Sequence, residues 1–181
     1  MKTNFFNRDL HAESILGEFL DCYLYPNIHA QSVERIDDKG LQYEGVDIEV
    51  IINNQNYFID EKGYLSRPTI QNTFVLELSY LNCKGERKEG WLFNPNKITT
   101  HYLLCWADRD DVDLDDLTID NLHLVEAILV NRAKLHTYLW NRYQLNRITA
   151  NQKVNELLVI PISDTIYLPN SFSRYRLSHN M

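Results

Sequence analysis

Carboxylates and an ammonium group are concentrated in residues 42–66, within a stretch that is otherwise strand-like in composition. Asp47 opens a β-branched, apolar run, and the tripeptide Asp60-Glu61-Lys62 lies in a second run that follows soon after. Charged groups of this kind are costly to bury unless they meet one another, water or a metal ion. Because hard cations prefer carboxylate oxygens as ligands, the segment is a candidate cation site.

The two runs predict a β-hairpin. We expect strands over residues 46–52 and 57–62, joined by the turn-rich tetrapeptide Asn53-Asn54-Gln55-Asn56. Side chains alternate along a strand, so Phe58, Asp60 and Lys62 share one face. The alternative is an edge hairpin with a solvated charged face, in which Lys62 simply pairs with Asp60 or Asp47.

A helix is predicted upstream, from an N-cap at Asp9 to about Tyr23. Glu13 lies inside the edge of its apolar stripe, whereas Glu18 and Asp21 lie on the polar face. One carboxylate of this helix therefore points toward the core, where it either joins the cation site or pairs with a basic residue. The stripe consists of Leu10, Leu16, Phe19, Leu20 and Tyr23.

The order of these charged residues along the chain resembles the active site of the PD-(D/E)xK nuclease superfamily, which includes many restriction enzymes and Holliday-junction resolvases. The residues that carry the resemblance are Glu13, Asp47 and Asp60-Glu61-Lys62. In that family an acidic residue starts one strand, a [D/E]-x-K tripeptide lies on the next, and the first helix often adds a glutamate. Val46 stands where the family name has proline. The resemblance covers about residues 9–66 and implies an α/β (α+β) fold. The expected core is a restriction-endonuclease-like mixed β-sheet flanked by helices, in one domain over residues 1–181.

The resemblance also implies a function. It predicts a metal-dependent phosphodiester hydrolase, a nuclease, that uses Mg²⁺ with Mn²⁺ as a substitute and has DNA as its favoured substrate. The expected catalytic residues are Asp47, Asp60 and Lys62. The expected metal ligands are Glu13, Asp47, Asp60 and Glu61, the last through its backbone carbonyl. Two alternatives stay open: a catalytically inactive nuclease-like domain that serves as a nucleic-acid or protein interaction module, and an unrelated α+β protein with a chance hairpin.

The net charge of −7 argues against a non-specific nucleic-acid coat, which should be basic. It does not exclude a nuclease, because phosphate contacts need only a local basic patch. Lys84, Arg87 and Lys88 are candidate nucleic-acid contacts, with a solvated turn as the alternative. A homodimer is compatible with the resemblance, since many such nucleases pair to cut two strands.

The remaining composition points to a cytoplasmic protein without a membrane partner. Cys22, Cys83 and Cys105 are widely spaced and odd in number, which favours reduced thiols over disulfides or zinc ligands. No apolar run approaches the length of a membrane span, and no basic segment followed by an apolar one predicts a signal peptide.

The other predicted elements are mostly strands. After the first helix we expect a meander of about five strands, which includes the hairpin and residues 30–36, 73–81, 90–93 and 100–106. The longest predicted helix covers residues 121–143. Late strands are expected over residues 156–162 and 165–168, and residues 169–181 are expected to form a flexible polar tail.

Overall fold

The structure is a computed structural model of the 181-residue chain, and it describes residues 5–82, 84–152, 157–161 and 174–178. The fold is mixed α+β. The helices are α1 (Phe5–Tyr23), α2 (Lys39–Tyr43), α3 (Arg132–Tyr143) and α4 (Arg147–Gln152). The strands are β1 (Ser32–Arg35), β2 (Ile48–Ile52), β3 (Gln55–Tyr64), β4 (Thr73–Glu77), β5 (Ser79–Leu81), β6 (Arg87–Glu89), β7 (His101–Arg109), β8 (Leu122–Asn131), β9 (Leu157–Pro161) and β10 (Arg174–Ser178).

Six strands form the main sheet, in the order β1-β2-β3-β7-β8-β10. All neighbours are antiparallel except β3 and β7, which run parallel. Parallel neighbours cannot be joined by a hairpin, so residues 65–100 make a long crossover. The crossover contains β4, which pairs with β9 from later in the chain, and β5 and β6, which pair with each other; both pairs lie outside the main sheet. The expected mixed sheet with helices is confirmed at this level, but the predicted simple meander is wrong.

Two apolar cores cover the two faces of the main sheet. On one face α1 packs through Leu16, Phe19 and Leu20, against strand residues that include Ile59 and Leu103. On the other face Leu135 and Leu139 of α3 join residues of β4 and β7, the latter including Tyr102 and Leu104. Strand β7 is therefore buried on both faces, and its nearly continuous apolar sequence follows from that position.

The predicted hairpin is present as β2 and β3. Its turn consists of Asn53 and Asn54, whose φ angles are 51° and 60°. Two consecutive residues with positive φ match the twist of the flanking strands, and asparagine tolerates this conformation better than most residues. The turn is shorter than the predicted tetrapeptide, because Gln55 and Asn56 already pair with β2.

The predicted helix over residues 121–143 is wrong in its first half. Residues 122–131 form strand β8, and the helix begins only at Arg132, where the side chain of Asn131 accepts a hydrogen bond from the Lys134 N–H (3.0 Å). Strand β8 lies between β7 and β10 and is buried along most of its length. Such a strand has an almost unbroken apolar run, and periodicity alone does not distinguish that run from a buried helix.

Several boundaries also differ from the predictions. Helix α1 begins at Phe5 and not after Asp9, and residues 91–93 form a turn and not a strand. Residues 174–178, in the predicted tail, form the edge strand β10 beside β8. The expected strand over 165–168, and Cys83, lie outside the described residues. Cys22 is an exposed free thiol and Cys105 a buried one.

Candidate functional site

The candidate site is a fork in the main sheet. Pairing of β2 with β3 ends at Ile48 opposite Ile59, whereas β3 continues to Tyr64 with only β7 beside it. Beyond the fork, the Glu61 N–H donates to Oδ2 of Asp47 at 2.7 Å. Asp47 therefore caps the open edge of β3, which places one candidate ligand at the mouth of the fork.

Asp47 and Asp60 lie next to each other. The hairpin register puts them on opposite sides of the fork, so their side chains project from the same face. Asp60 is only 2 % exposed. Burial raises the pKa of Asp60 from 3.8 to about 7, although the Lys62 ammonium opposes this shift. Asp47 increases the shift through its negative charge and by accepting a hydrogen bond from protonated Asp60. Two carboxyl groups in contact under burial form a site that a cation would stabilise.

Lys62 completes this arrangement. Its ammonium group forms an ion pair with Oδ1 of Asp60 and lies 5.7 Å from the centre of the Trp91 ring. Burial alone would lower the pKa of Lys62, but the charges of Asp60, Asp47 and Glu13 outweigh it and raise that pKa. Lys62 is therefore protonated at neutral pH.

Glu13 of α1 faces the same opening. It lines a cleft of about 370 Å³ together with Asp47, Lys62, Arg35 and Glu61, whereas Asp60 lies behind the cleft and does not line it. Partial burial raises the pKa of the Glu13 carboxyl group, the Lys62 ammonium lowers it and the Asp47 charge raises it. Glu13 is an exposed residue of α1, so its carboxylate lies at the rim of the cleft and not in its floor. Helix α1 can approach this closely because β3 has Gly63 there, where a Cβ atom would lie 2.8 Å from Leu16 Cδ2.

The side chain of Glu61 points to the opposite face of β3. It accepts hydrogen bonds from Arg35 Nη1 (2.9 Å), Arg35 Nη2 (3.2 Å) and the Tyr25 hydroxyl (2.5 Å). Arg35 also donates to both carboxylate oxygens of Asp21, at 2.7 and 2.6 Å. These contacts occupy the Glu61 carboxylate, so only its backbone carbonyl is available to a metal ion.

The donor groups around the fork are few. Among residues 5–82, 84–152, 157–161 and 174–178, no group of three His, Cys, Asp or Glu side chains is close enough to hold a metal by itself. Magnesium, however, is usually held by one or two carboxylates and keeps several water ligands. Asp47, Asp60 and the Glu61 carbonyl fit that requirement, with Glu13 at the rim.

Three residues near the fork were not predicted from the sequence. Lys97 and Thr99 lie against Gly45, where a Cβ atom would be 2.8 Å from Lys97 Cδ and 2.7 Å from Thr99 Oγ1. Glu77, at the end of β4, interacts electrostatically with Lys62 and Lys97. Lys97 and Thr99 come just before β7 in the sequence. That position predicts proximity to the fork only when β7 is known to pair in parallel with β3.

The predicted basic contacts lie elsewhere. Lys84, Arg87 and Lys88 belong to the hairpin of β5 and β6, and none of them lines the 370 Å³ cleft. Lys88 pairs with Glu86 at 3.2 Å, and Arg87 donates to Ser79 at 2.5 Å. The geometry of the fork therefore does not support the prediction that these three residues contact nucleic acid.

A larger cavity of about 590 Å³ lies at the start of α3, beside Phe93, Asn131 and His136. Among the described residues no carboxylate lines it, so it offers no carboxylate ligand to a cation.

No family model, curated protein or solved structure matches this chain. The geometry of the fork is therefore the basis for any function assigned to it. None of the helices in the described part of the chain is both long enough and apolar enough to cross a bilayer.

Proposed function

We propose that this protein is a metal-dependent nuclease of the PD-(D/E)xK type that hydrolyses phosphodiester bonds in DNA. One observation carries the proposal: Asp47 and Asp60 meet at the fork of β2 and β3, and Lys62 projects from the same face of β3 as Asp60. This arrangement brings together the acidic residues and the lysine that the sequence resemblance matched.

The architecture around the fork supports the same proposal. A mixed sheet, with α1 packed on one face and α3 on the other, is compatible with a restriction-endonuclease-like core. Helix α1 brings Glu13 to the cleft that Asp47 and Lys62 line.

Hydrolysis of a phosphodiester needs an activated water and neutralisation of charge on the phosphate. A magnesium ion bound at this site would supply a water of lowered pKa and Lewis-acid stabilisation of the phosphate. The residues that would hold it are Asp47, Asp60 and the backbone carbonyl of Glu61, with Glu13 in support. The buried position of Asp60 keeps bulk water from competing for that carboxylate.

Lys62 has a role that does not depend on ligation. Because it stays protonated, its ammonium can donate to the attacking water or to a phosphate oxygen that gains negative charge in the transition state. Asp60 and the ring of Trp91 hold the ammonium in place, so little reorganisation is needed when substrate binds.

A second candidate function is a nuclease-like domain that binds without catalysis. The ion pair between Lys62 and Asp60 favours it, because a carboxylate already neutralised by lysine has less need of a metal ion. Calorimetric titration with Mn²⁺ distinguishes the two: absence of Mn²⁺ binding, both to the free protein and to its nucleic-acid complex, would favour the binding module.

The direct test is a cleavage assay on labelled single- and double-stranded DNA and RNA, with Mg²⁺ or Mn²⁺. We expect Asp60→Asn and Lys62→Gln each to lower the cleavage rate by at least about 100-fold, the usual loss when a charge-stabilising group is removed. Glu49→Gln, on β2 of the same hairpin but outside the cleft, is the matched control and should cleave at the normal rate. Undiminished activity of both Asp60→Asn and Lys62→Gln would refute the proposal.

A further inference from the structure

An exposed aromatic ring lies beside the fork. Tyr43, at the end of α2, is 85 % exposed, more than any other large apolar side chain among the described residues. The ammonium group of Lys97 lies 5.8 Å from the centre of this ring and donates to the Tyr43 carbonyl at 2.8 Å. A bare ring with a fixed cation at its side is an arrangement that binds a base together with its phosphate.

The pair is adjacent to the proposed catalytic centre. A Cβ atom on Gly45 would lie 2.8 Å from Lys97 Cδ and 3.4 Å from Oδ2 of Asp60, so the lysine stem and the carboxylate flank the same point. Gly45 has a φ of 82°, which also favours glycine there. Lys97 therefore runs over the backbone just before Asp47, with its ammonium directed away toward Tyr43.

The segment that carries Lys97 is fixed by hydrogen bonds. Arg132 donates to the carbonyls of Lys97 and Asn94, both at 2.7 Å. The Ile98 N–H donates to the Glu44 carbonyl at 3.0 Å, and the Thr99 hydroxyl donates to the Gly45 carbonyl at 2.5 Å. The position of Lys97 relative to the fork is thus set before any ligand arrives.

We propose that Tyr43 and Lys97 form a binding site for one unpaired nucleotide next to the scissile phosphate, and that the substrate is single-stranded nucleic acid or a single-stranded end. The proposal rests on the nuclease function and names its substrate class. Tyr43 stacks on the base of this nucleotide, and the Lys97 ammonium contacts its phosphate. The strand then continues toward Asp60 and Lys62.

Two observations favour an unpaired strand over a duplex. An exposed ring can stack only on a base whose face is free, and in a duplex each base face is covered by its neighbour. The chain also has a net charge of −7, whereas proteins that lie along duplex DNA present broad basic surfaces. One lysine beside one ring is a local contact, suited to a single nucleotide.

The environment of Lys97 suits a phosphate. Burial lowers the pKa of this lysine, while the charge of Asp60 opposes the shift and that of Lys62 adds to it. Its ammonium has already lost part of its hydration, so transfer to a phosphate oxygen costs less than it would for a lysine in open solvent.

The test is fluorescence anisotropy with a labelled oligothymidylate in EDTA, which measures binding without cleavage. We expect Tyr43→Ala to weaken binding about tenfold, within the range for loss of one stacked base, and Tyr43→Phe to bind normally. Lys97→Gln should weaken binding and reduce the slope of log affinity against log salt by about 0.7, the value for one phosphate contact on a single strand. Lys97→Arg should restore both.

Matched controls lie away from the fork. Tyr80→Ala removes another exposed tyrosine, and Lys134→Gln removes an exposed lysine of α3; both should bind normally. A blunt duplex of the same length should bind at least tenfold more weakly than the single strand, and a duplex with a single-stranded overhang should bind like the single strand. Circular dichroism and thermal melts of each variant check that the fold is retained.

The outcomes separate the two proposals. Binding that depends on Tyr43 and Lys97 supports the nucleotide site even if the wild-type protein cleaves nothing in Mn²⁺, a result that would count against the nuclease alone. Cleavage with unchanged binding in Tyr43→Ala and in Lys97→Gln would overturn the nucleotide site and leave the nuclease. Equal binding of blunt duplex and single strand, or no nucleic-acid binding, would also overturn it. So would an effect of Tyr43→Ala limited to self-association, which would identify the ring as a protein contact.

Discussion

Strand β3 carries two ionic clusters on its opposite faces, and they differ in how well their charges are satisfied. The Glu61 cluster consists of Glu61, Arg35, Asp21 and Tyr25, and each Glu61 carboxylate oxygen has hydrogen-bond donors. The Asp60 cluster consists of Asp47, Asp60 and Lys62, and Glu13 of α1 adds a negative charge that acts on Lys62 from the cleft it shares with Glu61. Adjacent residues of one tripeptide thus end in different electrostatic environments.

The two clusters therefore differ in their capacity to accept a further cation. The Glu61 cluster ties α1, β1 and β3 together through direct bonds, and an added cation would find its carboxylates already occupied. In the Asp60 cluster, burial raises the pKa of Asp60 to about 7, which marks a carboxyl group that lacks enough positive charge. Perturbed groups of this kind gather at functional sites. The comparison predicts that mutations in the first cluster lower stability and that changes in the second alter metal binding.

The largest expected effect is on stability, from Arg35→Ala. The Glu61 side chain is only 9 % exposed, so losing its ionic partner leaves a buried carboxylate with the Tyr25 hydroxyl alone. Breaking a buried pair in this way costs about 3 kcal/mol of unfolding free energy or more. Urea denaturation followed by circular dichroism measures the loss. Lys88→Ala, which breaks the exposed ion pair with Glu86, should change stability by less than about 1 kcal/mol. Equal losses of unfolding free energy in the two variants would show that the Glu61 cluster does not stabilise the fold more than an exposed ion pair does.

A somewhat smaller effect is expected from metal binding to the Asp60 cluster. At free Mn²⁺ about 100 times its Kd, the wild-type protein should gain about 2.7 kcal/mol of stability by mass action. Thermal melts with and without Mn²⁺ measure this gain. Asp60→Asn should lose most of it, whereas Glu49→Gln should retain it. If Asp60→Asn gains as much as the wild type, the cation binds elsewhere.

The smallest expected effect is the pH dependence of that binding. Because burial raises the pKa of Asp60 to about 7, protons compete with the metal below this value and not above it. Apparent Mn²⁺ affinity should therefore fall about tenfold between pH 8 and pH 6, the consequence of one titrating group. Titration calorimetry in buffers of different ionisation enthalpy should detect release of nearly one proton at pH 6 and about a tenth of a proton at pH 8. Affinity and proton release that stay constant over this range would show that Asp60 is already ionised.

The free protein should show the opposite trend in stability. The pKa of Asp60 is higher in the folded chain than in the unfolded one, so the folded state holds a proton that the unfolded state releases between about pH 4 and pH 7. This group therefore lowers the stability of the metal-free protein as pH rises through that window, and the loss is complete above pH 7.

Local patterns in the sequence predicted the hairpin but not its neighbours. Alternation and the Asn53-Asn54 turn were enough to place Asp60 and Lys62 on one face, because these are properties of adjacent residues. The strand over residues 122–131 was mistaken for a helix because a strand buried on both faces has no alternation to detect. The sequence did not predict the ion pairs of Arg35, because its partners Asp21 and Glu61 lie on separate secondary-structure elements.

The sequence by itself determined which residues could form a cation site: Glu13, Asp47, Asp60 and Lys62 have the right types, spacing and strand alternation. The tertiary structure decided how each is used. The fork of β2 and β3 brings Asp47 against Asp60. The packing of α1 on β3 places Glu13 at the rim of the cleft, and the pairing of Glu61 with Arg35 joins β3 to β1. The reason is physical: alternation acts between near neighbours, whereas burial and charge pairing depend on chain segments that come together only when the sheet forms.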